Sequence, residues 1–166
     1  MKLLELEIRD FKRFNREPKV LRFDPRAQVL FGANEAGKST IFEAIRRVLF
    51  DKARTGAKWV EHLVPYGTKA SPQVRLDFEH RGRTLRIAKE FGLKGRVTLS
   101  EHQGDGWQTL ATNEDAEALL LELLGAEESK AREGSAPSSW GAFQWLFSAK
   151  PPGMPGIYAQ ELTGSR

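Results

Sequence analysis

The chain has 166 residues, 40% of them hydrophobic and 29% charged, which excludes a disordered segment and indicates one soluble globular domain. It has no cysteine, which excludes a disulfide framework and a thiolate metal site. Residues 1–100 hold 22 Lys and Arg against 12 Asp and Glu, whereas residues 101–166 hold 4 against 10. We expect a cytoplasmic protein with no membrane partner, in which the basic part is either a solvated surface or a nucleic-acid surface.

The first fifty residues are predicted to form three strands and a helix. Alternation of apolar and polar residues predicts a strand at Lys2–Ile8 and a short one at Val20–Phe23. A third, apolar strand is predicted at Gln28–Phe31, directly before a glycine-rich loop. From Lys38 to Phe50 the apolar residues recur at helical spacing, so a helix with one apolar face should follow that loop.

The middle of the chain is predicted to change from helix to sheet. Residues 51–72 should be a loop with one short turn, and residues 73–110 alternate with a period of two, which predicts an antiparallel meander. The segment His80–Arg83 fits the first hairpin turn and Thr84–Phe91 the return strand. Further strands are expected at Val97–Ser100 and Trp107–Leu110.

The C-terminal part is predicted to begin with a helix. Thr112-Asn113-Glu114-Asp115 fits a capping box, and Gly125 is a natural stop after Leu124. Residues 126–139 have a linker composition, and residues 140–147 are rich in aromatics. We expect residues 1–150 to form one lobe and residues 151–166 to be a tail, the start of a coiled-coil arm or an expression remnant.

A phosphate-binding pattern lies between the third predicted strand and the helix. Gly32-Ala33-Asn34-Glu35-Ala36-Gly37-Lys38-Ser39 matches G-x-x-x-x-G-K-[ST] in full. The two glycines allow N–H groups to turn toward phosphate oxygens, and the helix start adds unpaired N–H groups and a positive dipole end. We expect Lys38 to reach the β- and γ-phosphates, Ser39 to bind Mg²⁺, and Thr40 to support the phosphate nearest the helix. The alternative is a glycine-rich turn before a surface helix.

The residues around this pattern carry a family resemblance. Ile8-Arg9-Asp10-Phe11-Lys12-Arg13-Phe14, followed by Val29 to Ile45, resembles the start of the SMC, SbcC, RecN and RecF group of ABC-type ATPases, and looks most like bacterial SMC-like proteins of the YhaN type. The resemblance implies an α/β fold of the P-loop NTPase class. It implies half of an ABC-type head, with an antiparallel β lobe at 73–110 and a short helical lobe at 112–150.

The resemblance also implies roles for individual residues. Lys12 or Arg13 stands where the family places a basic side chain near the nucleotide phosphates, and Asn34 lies at the tip of the loop. Gln144 is the candidate for the Q-loop glutamine, a catalytic residue and Mg²⁺ ligand, although Trp145 follows it where the family has glycine. An aromatic core strand is the alternative reading of that segment. Gln103 and Gln160 are poorer candidates for the same role.

The function implied by the resemblance is an ATP-driven switch. ATP with Mg²⁺ would close two heads into a homodimer on DNA, and hydrolysis would open them, in repair, chromosome maintenance or defence. The sequence has no Walker B strand, signature motif or heptad run, which in the family lie in the C-terminal half. We therefore expect ATPase activity to need a C-terminal half-head, in the same or a separate chain, and a nuclease subunit is a possible partner. The expected DNA-phosphate contacts are Lys52, Arg54, Lys58, Arg75, Arg81, Arg83 and Arg86.

Other readings of the phosphate loop stay open. A small P-loop phosphotransferase would need further parallel strands and a lid, and a GTPase would need an Asn-Lys-x-Asp motif that is absent. A nuclease ATPase of the OLD type would add a metal-binding domain. A non-catalytic module that binds ATP only to close an assembly is a further alternative, because the residues that would decide between it and an ATPase are absent from the sequence.

Overall fold

The computed structural model describes residues 1–15, 17–24, 29–33 and 36–125. Within these ranges the strands are β1 (Lys2–Arg9), β2 (Lys19–Arg22), β3 (Gln73–His80), β4 (Arg83–Glu90), β5 (Arg96–Gln103) and β6 (Gly106–Thr112). The helices are α1 (Lys38–Phe50), α2 (Ala57–Glu61) and α3 (Asn113–Leu124). No helix in these ranges is long and apolar enough to cross a membrane.

The strands form one sheet in the order β2-β1-β3-β4-β5-β6, and each of these pairings is antiparallel. Arg81 and Gly82 make the two-residue turn between β3 and β4, with φ of 51° and 75°, as the right-handed twist of a tight hairpin requires. The predicted meander and its first turn are confirmed. β5 and β6 extend beyond the predicted Val97–Ser100 and Trp107–Leu110, because the polar residues at their ends still pair across the hairpin.

One face of the sheet carries the core. Apolar side chains that alternate along the strands are buried beneath α1 and α3, which both pack on that face. The opposite face carries charged side chains, so burial of only one face accounts for the period of two in the sequence. The fully buried members of the core include Leu6, Ile8, Phe11, Leu63, Leu76, Phe78, Leu85, Ile87, Phe91, Leu99 and Leu120.

Both longer helices lie where the sequence predicts them. α1 buries Ile41, Ile45 and Val48 along one face. α3 starts after Thr112 and ends at Gly125, which adopts the left-handed conformation expected of a helix stop. The capping box is wrong in one respect, since Thr112 makes no side-chain cap bond. The side chain of Asn113 is instead drawn toward β5, where its Oδ1 accepts a hydrogen bond of 3.4 Å from the amide of Val97.

The third predicted strand is wrong for the residues that the structure describes. Val29, Leu30 and Phe31 form no strand pairing there, and Val29 and Phe31 are 78% and 92% exposed. A strand is stable only when a neighbouring strand satisfies its backbone groups and covers its side chains, and no described strand runs beside this segment. The apolar run is therefore present without the partner that would make it a strand.

Candidate nucleotide site

The phosphate loop approaches α1 through two glycines with unusual backbone angles. Gly32 has φ of 155°, and Gly37, directly before the helix, has φ of 97° and ψ of 11°. Between them, the amide of Ala36 donates to the carbonyl of Ala33 at 3.2 Å. Glycine at these two positions is what lets the chain turn sharply into the first helical turn. Asn34 and Glu35 lie outside the described residues.

Lys38 turns its side chain back into the loop. Its Nζ donates to the carbonyl oxygens of Gly32 and Ala33, at 2.7 and 2.8 Å. The sequence predicts an ammonium at the β- and γ-phosphates. The structure places that ammonium against the first two residues of the loop, held by two neutral acceptors. A phosphate would offer the same ammonium a charged acceptor, which forms stronger hydrogen bonds than a carbonyl.

The N-terminus of α1 suits an anion. Its N-cap residue, Gly37, provides no side-chain cap, and the first turn holds no acidic residue that would neutralise the helix dipole. Ser39 is exposed at this end, where its hydroxyl is accessible to a metal ion, and Thr40 is half-buried. These features fit a magnesium nucleotide, with the first-turn amides and Lys38 toward the phosphates and Ser39 toward the metal.

The two basic residues expected near the phosphates have different surroundings. A Cβ placed on Gly37 would lie 3.0 Å from Cδ of Arg13 and 2.7 Å from Cζ of Phe14, so both side chains press against the phosphate loop. Lys12 instead directs its ammonium to the carboxylate of Glu43 on α1. The structure thus brings Arg13 to the loop and gives Lys12 a carboxylate partner. The role of either residue in binding stays a prediction.

Glu43 is the centre of an ion-pair network that the sequence reading missed. It accepts hydrogen bonds from Lys12 and, at 2.8 Å, from Nε of Arg47, which in turn donates to Asp51 at 2.7 Å. Burial raises the pKa of Glu43, but the hydrogen bonds from Lys12 and Arg47 outweigh it, so the net pKa lies below its usual range. The spacing of Glu43, Arg47 and Asp51 at i, i+4 was a signal for this part of the network.

The arginines of the meander are mostly occupied by acids on neighbouring strands. Arg75 donates to Glu5 at 2.5 Å, and Arg83 forms two hydrogen bonds with Glu101, at 2.6 and 2.9 Å. The hydrogen bond from Arg83 holds the pKa of Glu101 down, at about 2.

Arg86 is held from two sides. Its guanidinium makes two bonds of 2.7 Å to Asp77 and stacks on the ring of Trp107, 3.8 Å from the centroid. Three of the seven predicted DNA contacts are therefore ion-paired within the fold. A phosphate contact at any of the three has to compete with an existing pair.

A second group of cations lies where two loops meet. Gly92 N donates to Ala53 O at 3.0 Å and Thr55 N donates to Gly92 O at 3.1 Å, which ties the β4–β5 turn to the loop after α1. Arg54 and Lys58 are exposed and make no ion pair with other described residues, and Lys94 is exposed on the adjoining turn. Lys94 was missed because only the folded chain brings residues 92–95 next to residues 53–55.

Gln144, the expected Q-loop residue, lies outside the described residues, as do Gln160 and the segment 151–166. Gln103 is described and ends β5, where its side chain donates to Glu101 at 3.0 Å. It is distant in the chain from the phosphate loop and engaged with a strand neighbour. The catalytic and metal roles of Gln144, and the boundaries of the lobes, stay predictions.

Comparison with known proteins agrees with this architecture. The family described as an AAA domain matches residues 5–131. The chain is 38% identical over 99 residues to the DNA replication and repair protein RecF of Anaeromyxobacter sp. (strain Fw109-5), covering 60% of this chain and 26% of RecF. It is 40% identical over 67 residues to the DNA double-strand break repair Rad50 ATPase of Thermoplasma acidophilum, covering 40% of this chain and 7% of that protein. The chain thus spans about a quarter or less of these two relatives.

Two solved structures share the fold. One, described as structural biochemistry of ATP-driven dimerization and DNA stimulated activation of SMC ATPases, has a TM-score of 0.56, 20% identity, and 98% coverage of both chains. The other, an SmcHead bound to the C-winged helix domain of ScpA, has a TM-score of 0.54 and 22% identity, covering 75% of this chain and 40% of that one. With a family match over most of its length and this fold, the chain belongs to the AAA-domain family, as the N-terminal half of an ABC-type ATPase head of the SMC and SbcC kind.

Proposed function

We propose that this chain binds ATP with Mg²⁺ on the loop from Gly32 to Thr40. The observation that carries the proposal is the position of Lys38, whose ammonium lies against the first two residues of the loop and which begins the uncapped, acid-free first turn of α1. A triphosphate would replace two carbonyl acceptors with charged oxygens and meet the positive end of the helix. The metal would bind Ser39 and the phosphates, and Gln144 is proposed to complete its shell.

Calorimetry with the purified chain tests nucleotide binding. Lys38→Ala should abolish heat release with Mg-ATP, and it should lower the free energy of unfolding by only about 1–2 kcal/mol, because just two hydrogen bonds are lost. Arg54→Ala is a matched control, since it removes an exposed cation just past the opposite end of α1. Equal affinity for Mg-ATP in the wild type and in Lys38→Ala would end the proposal.

We further propose that a C-terminal half-head completes the site for hydrolysis. Val29 and Phe31, which lie directly before the loop, are exposed, and Phe42 on α1 is 46% exposed. An added lobe that supplies a neighbouring strand would cover these side chains and satisfy the backbone beside the loop. The Walker B acid and the signature motif would come from that lobe. The chain alone should then turn over ATP far more slowly than about 1 per second, a rate usual for enzymes.

Two matched aspartate substitutions test whether the C-terminal half-head packs on the apolar residues before the loop. Phe31→Asp should abolish co-purification with the C-terminal half-head, because burying the carboxylate costs several kcal/mol. Leu93→Asp places the same charge on another exposed apolar residue, in the β4–β5 turn, and should leave co-purification intact. If both variants, or neither, lose the partner, the apolar run before the loop is not the interface.

The completed head is proposed to dimerise around ATP and to act on DNA, as the names of the relatives suggest for the repair proteins RecF and Rad50. The ion pairs of the meander favour a different phosphate-contacting surface, where the loop after α1 meets the β4–β5 turn. Arg54, Lys58 and Lys94 are exposed cations at or beside this junction. Contacts of this kind bind any sequence and weaken with salt.

A duplex-binding titration of the completed head separates the two surfaces. Replacing Arg54, Lys58 and Lys94 with alanine should weaken affinity roughly tenfold or more and flatten the salt dependence by about three ions. Replacing Arg83 by alanine should change affinity little. If the Arg83 variant has the larger effect, DNA lies on the meander instead, and if DNA affinity is absent the coupling to DNA is refuted.

A further inference from the structure

The turn formed by residues 10–14, called the 10–14 turn below, has a backbone that needs outside support. The amide of Phe11 donates to the carbonyl of Phe14 at 2.8 Å and the amide of Phe14 donates back at 3.0 Å, which closes a tight turn. Asp10 and Lys12 have φ of 50° and 52°, left-handed angles that residues with a Cβ adopt rarely. Such a turn persists only where surrounding contacts hold it.

Three contacts hold the 10–14 turn. Phe11 is completely buried in the core, and the amide of Lys12 donates to the carbonyl of Leu63 at 2.5 Å. The third contact is the ion pair between the ammonium of Lys12 and the carboxylate of Glu43. The first two fix the backbone beside the core. The third ties the turn directly to α1, the helix that begins at the phosphate loop.

Glu43 is itself rigidly placed. The guanidinium of Arg47, one helical turn later, contacts the carboxylate of Glu43 at 2.7 to 2.8 Å. The same guanidinium forms an ion pair with the carboxylate of Asp51 at 2.7 Å. The guanidinium also stacks on Trp59, 4.5 Å from the ring centroid. Arg47 is only 14% exposed, so water screens these pairs weakly. The carboxylate of Glu43 is therefore held in one position on α1.

The consequence lies on the other side of the turn. Arg13 follows Lys12, and its Cδ is close enough to Gly37 that a methyl group there would lie 3.0 Å from it. The stem of Arg13 thus runs along the backbone from which the loop amides and Lys38 are presented. Any movement of the 10–14 turn away from α1 would carry the Arg13 side chain away from Gly37.

We propose that Glu43 is a positioning residue for the nucleotide site: by holding Lys12 it fixes the 10–14 turn against α1, so that Arg13 is presented to the phosphates. This rests on the proposed binding of Mg-ATP. Glu43 does not touch the nucleotide in this arrangement. Neutralising Glu43 separates a positioning role from a purely electrostatic one. Removing an acid near a phosphate site by itself strengthens anion binding, whereas loss of positioning weakens the affinity for Mg-ATP.

A thermodynamic cycle on Mg-ATP affinity tests the proposal. Glu43→Gln and Arg13→Ala should each weaken binding about five- to tenfold, as expected for loss of one charge-assisted contact. The double variant should bind no more weakly than Arg13→Ala, because Glu43 acts through Arg13. Glu122→Gln, an exposed acid on α3, is the matched control and should bind as the wild type does. Lys12→Met breaks the same pair from the other side and serves as the test if Glu43→Gln folds poorly. Because it also removes a cation, its affinity for Mg-ATP should fall at least as far as that of Glu43→Gln.

The outcomes are distinct. Wild-type or tighter affinity in Glu43→Gln, or effects of Glu43→Gln and Arg13→Ala that multiply in the double variant, overturns the positioning role. A wild-type chain that binds no Mg-ATP, or binds it equally well after Lys38→Ala, overturns the proposed function and this inference together. Loss of binding in Lys38→Ala with no change in Glu43→Gln removes only the positioning role.

Discussion

Replacing Gly37 with alanine probes the contact between the phosphate loop and the 10–14 turn. Two costs combine at this position. A residue with a Cβ at φ of 97° is strained by about 1–2 kcal/mol. The added methyl would lie 2.7 Å from Cζ of Phe14, and forcing an atom into a packed contact costs about 1–3 kcal/mol more. The free energy of unfolding should fall by about 2–5 kcal/mol.

Two other glycines separate these costs. Gly82 also has a positive φ, of 75°, but a Cβ there meets nothing within 4 Å, so Gly82→Ala should cost only the backbone strain of about 1–2 kcal/mol. Gly106 has open space and no left-handed angle. Gly106→Ala should be neutral or should stabilise the fold by up to about 1 kcal/mol, because alanine restricts the unfolded chain.

The assay is urea unfolding followed by circular dichroism, with Mg-ATP titrations on the folded variants. Gly37→Ala should lose nucleotide affinity, whereas Gly82→Ala should keep it. Adding Phe14→Ala to Gly37→Ala should recover part of the steric cost, and this recovery is absent if strain alone is responsible. If Gly37→Ala costs no more than Gly82→Ala, then the 10–14 turn does not press on the loop and the reasoning is refuted.

Three further predictions concern the frame around the site. A Cβ on Gly95 would overlap the carbonyl of Ala53, so Gly95→Ala should lower the free energy of unfolding by about 3 kcal/mol, and a near-neutral result in urea unfolding would contradict the close packing of the two loops. Burial lowers the pKa of Lys89 to about 8 from its ordinary 10.5, so the unfolded state binds the proton more tightly and the wild type should gain stability from about pH 8 to 10.5. Lys89→Met should lack that slope when unfolding is compared across the interval, and parallel profiles would refute the burial argument. Trp107→Leu removes the ring beneath Arg86 and should cost about 0.5–2 kcal/mol in thermal unfolding, a loss that is absent if the stack contributes nothing.

The sheet and the phosphate loop were predictable because their signals are local. A period of two over residues 73–110 reports a sheet with one buried face, and the glycines and lysine of the loop occupy fixed spacings. The His80–Arg83 turn also determines how β3 and β4 align. A two-residue turn at Arg81 and Gly82 fixes the register, and the register sets Asp77 opposite Arg86. The pairing of that arginine with an acid was therefore readable before the structure.

The contacts that organise the site are not local. Lys12 and Glu43 are 31 positions apart, and the amide of Lys12 meets the carbonyl of Leu63, much later in the chain. The spacing of these residues in the sequence does not indicate the contacts, since they form only when the turn after β1 comes to lie beside α1 and Leu63 in the folded chain. For the same reason the sequence could not separate Lys12 from Arg13, which are adjacent in the chain but face different neighbours.

The segment before the loop shows why an apolar run in the sequence can predict a strand that the structure does not contain. The apolar run at Val29 and Phe31 has the composition of a buried strand, but a sequence pattern does not show whether a neighbouring strand is present to cover it. Among the described residues no such strand is present, and these two side chains remain open to water. Burying each of these side chains would contribute about 1.5–3 kcal/mol of favourable free energy. That is a substantial part of the unfolding free energy of a domain this size. The free energy available from covering these two exposed side chains is the physical basis of the proposal that a C-terminal half-head packs against the segment before the loop.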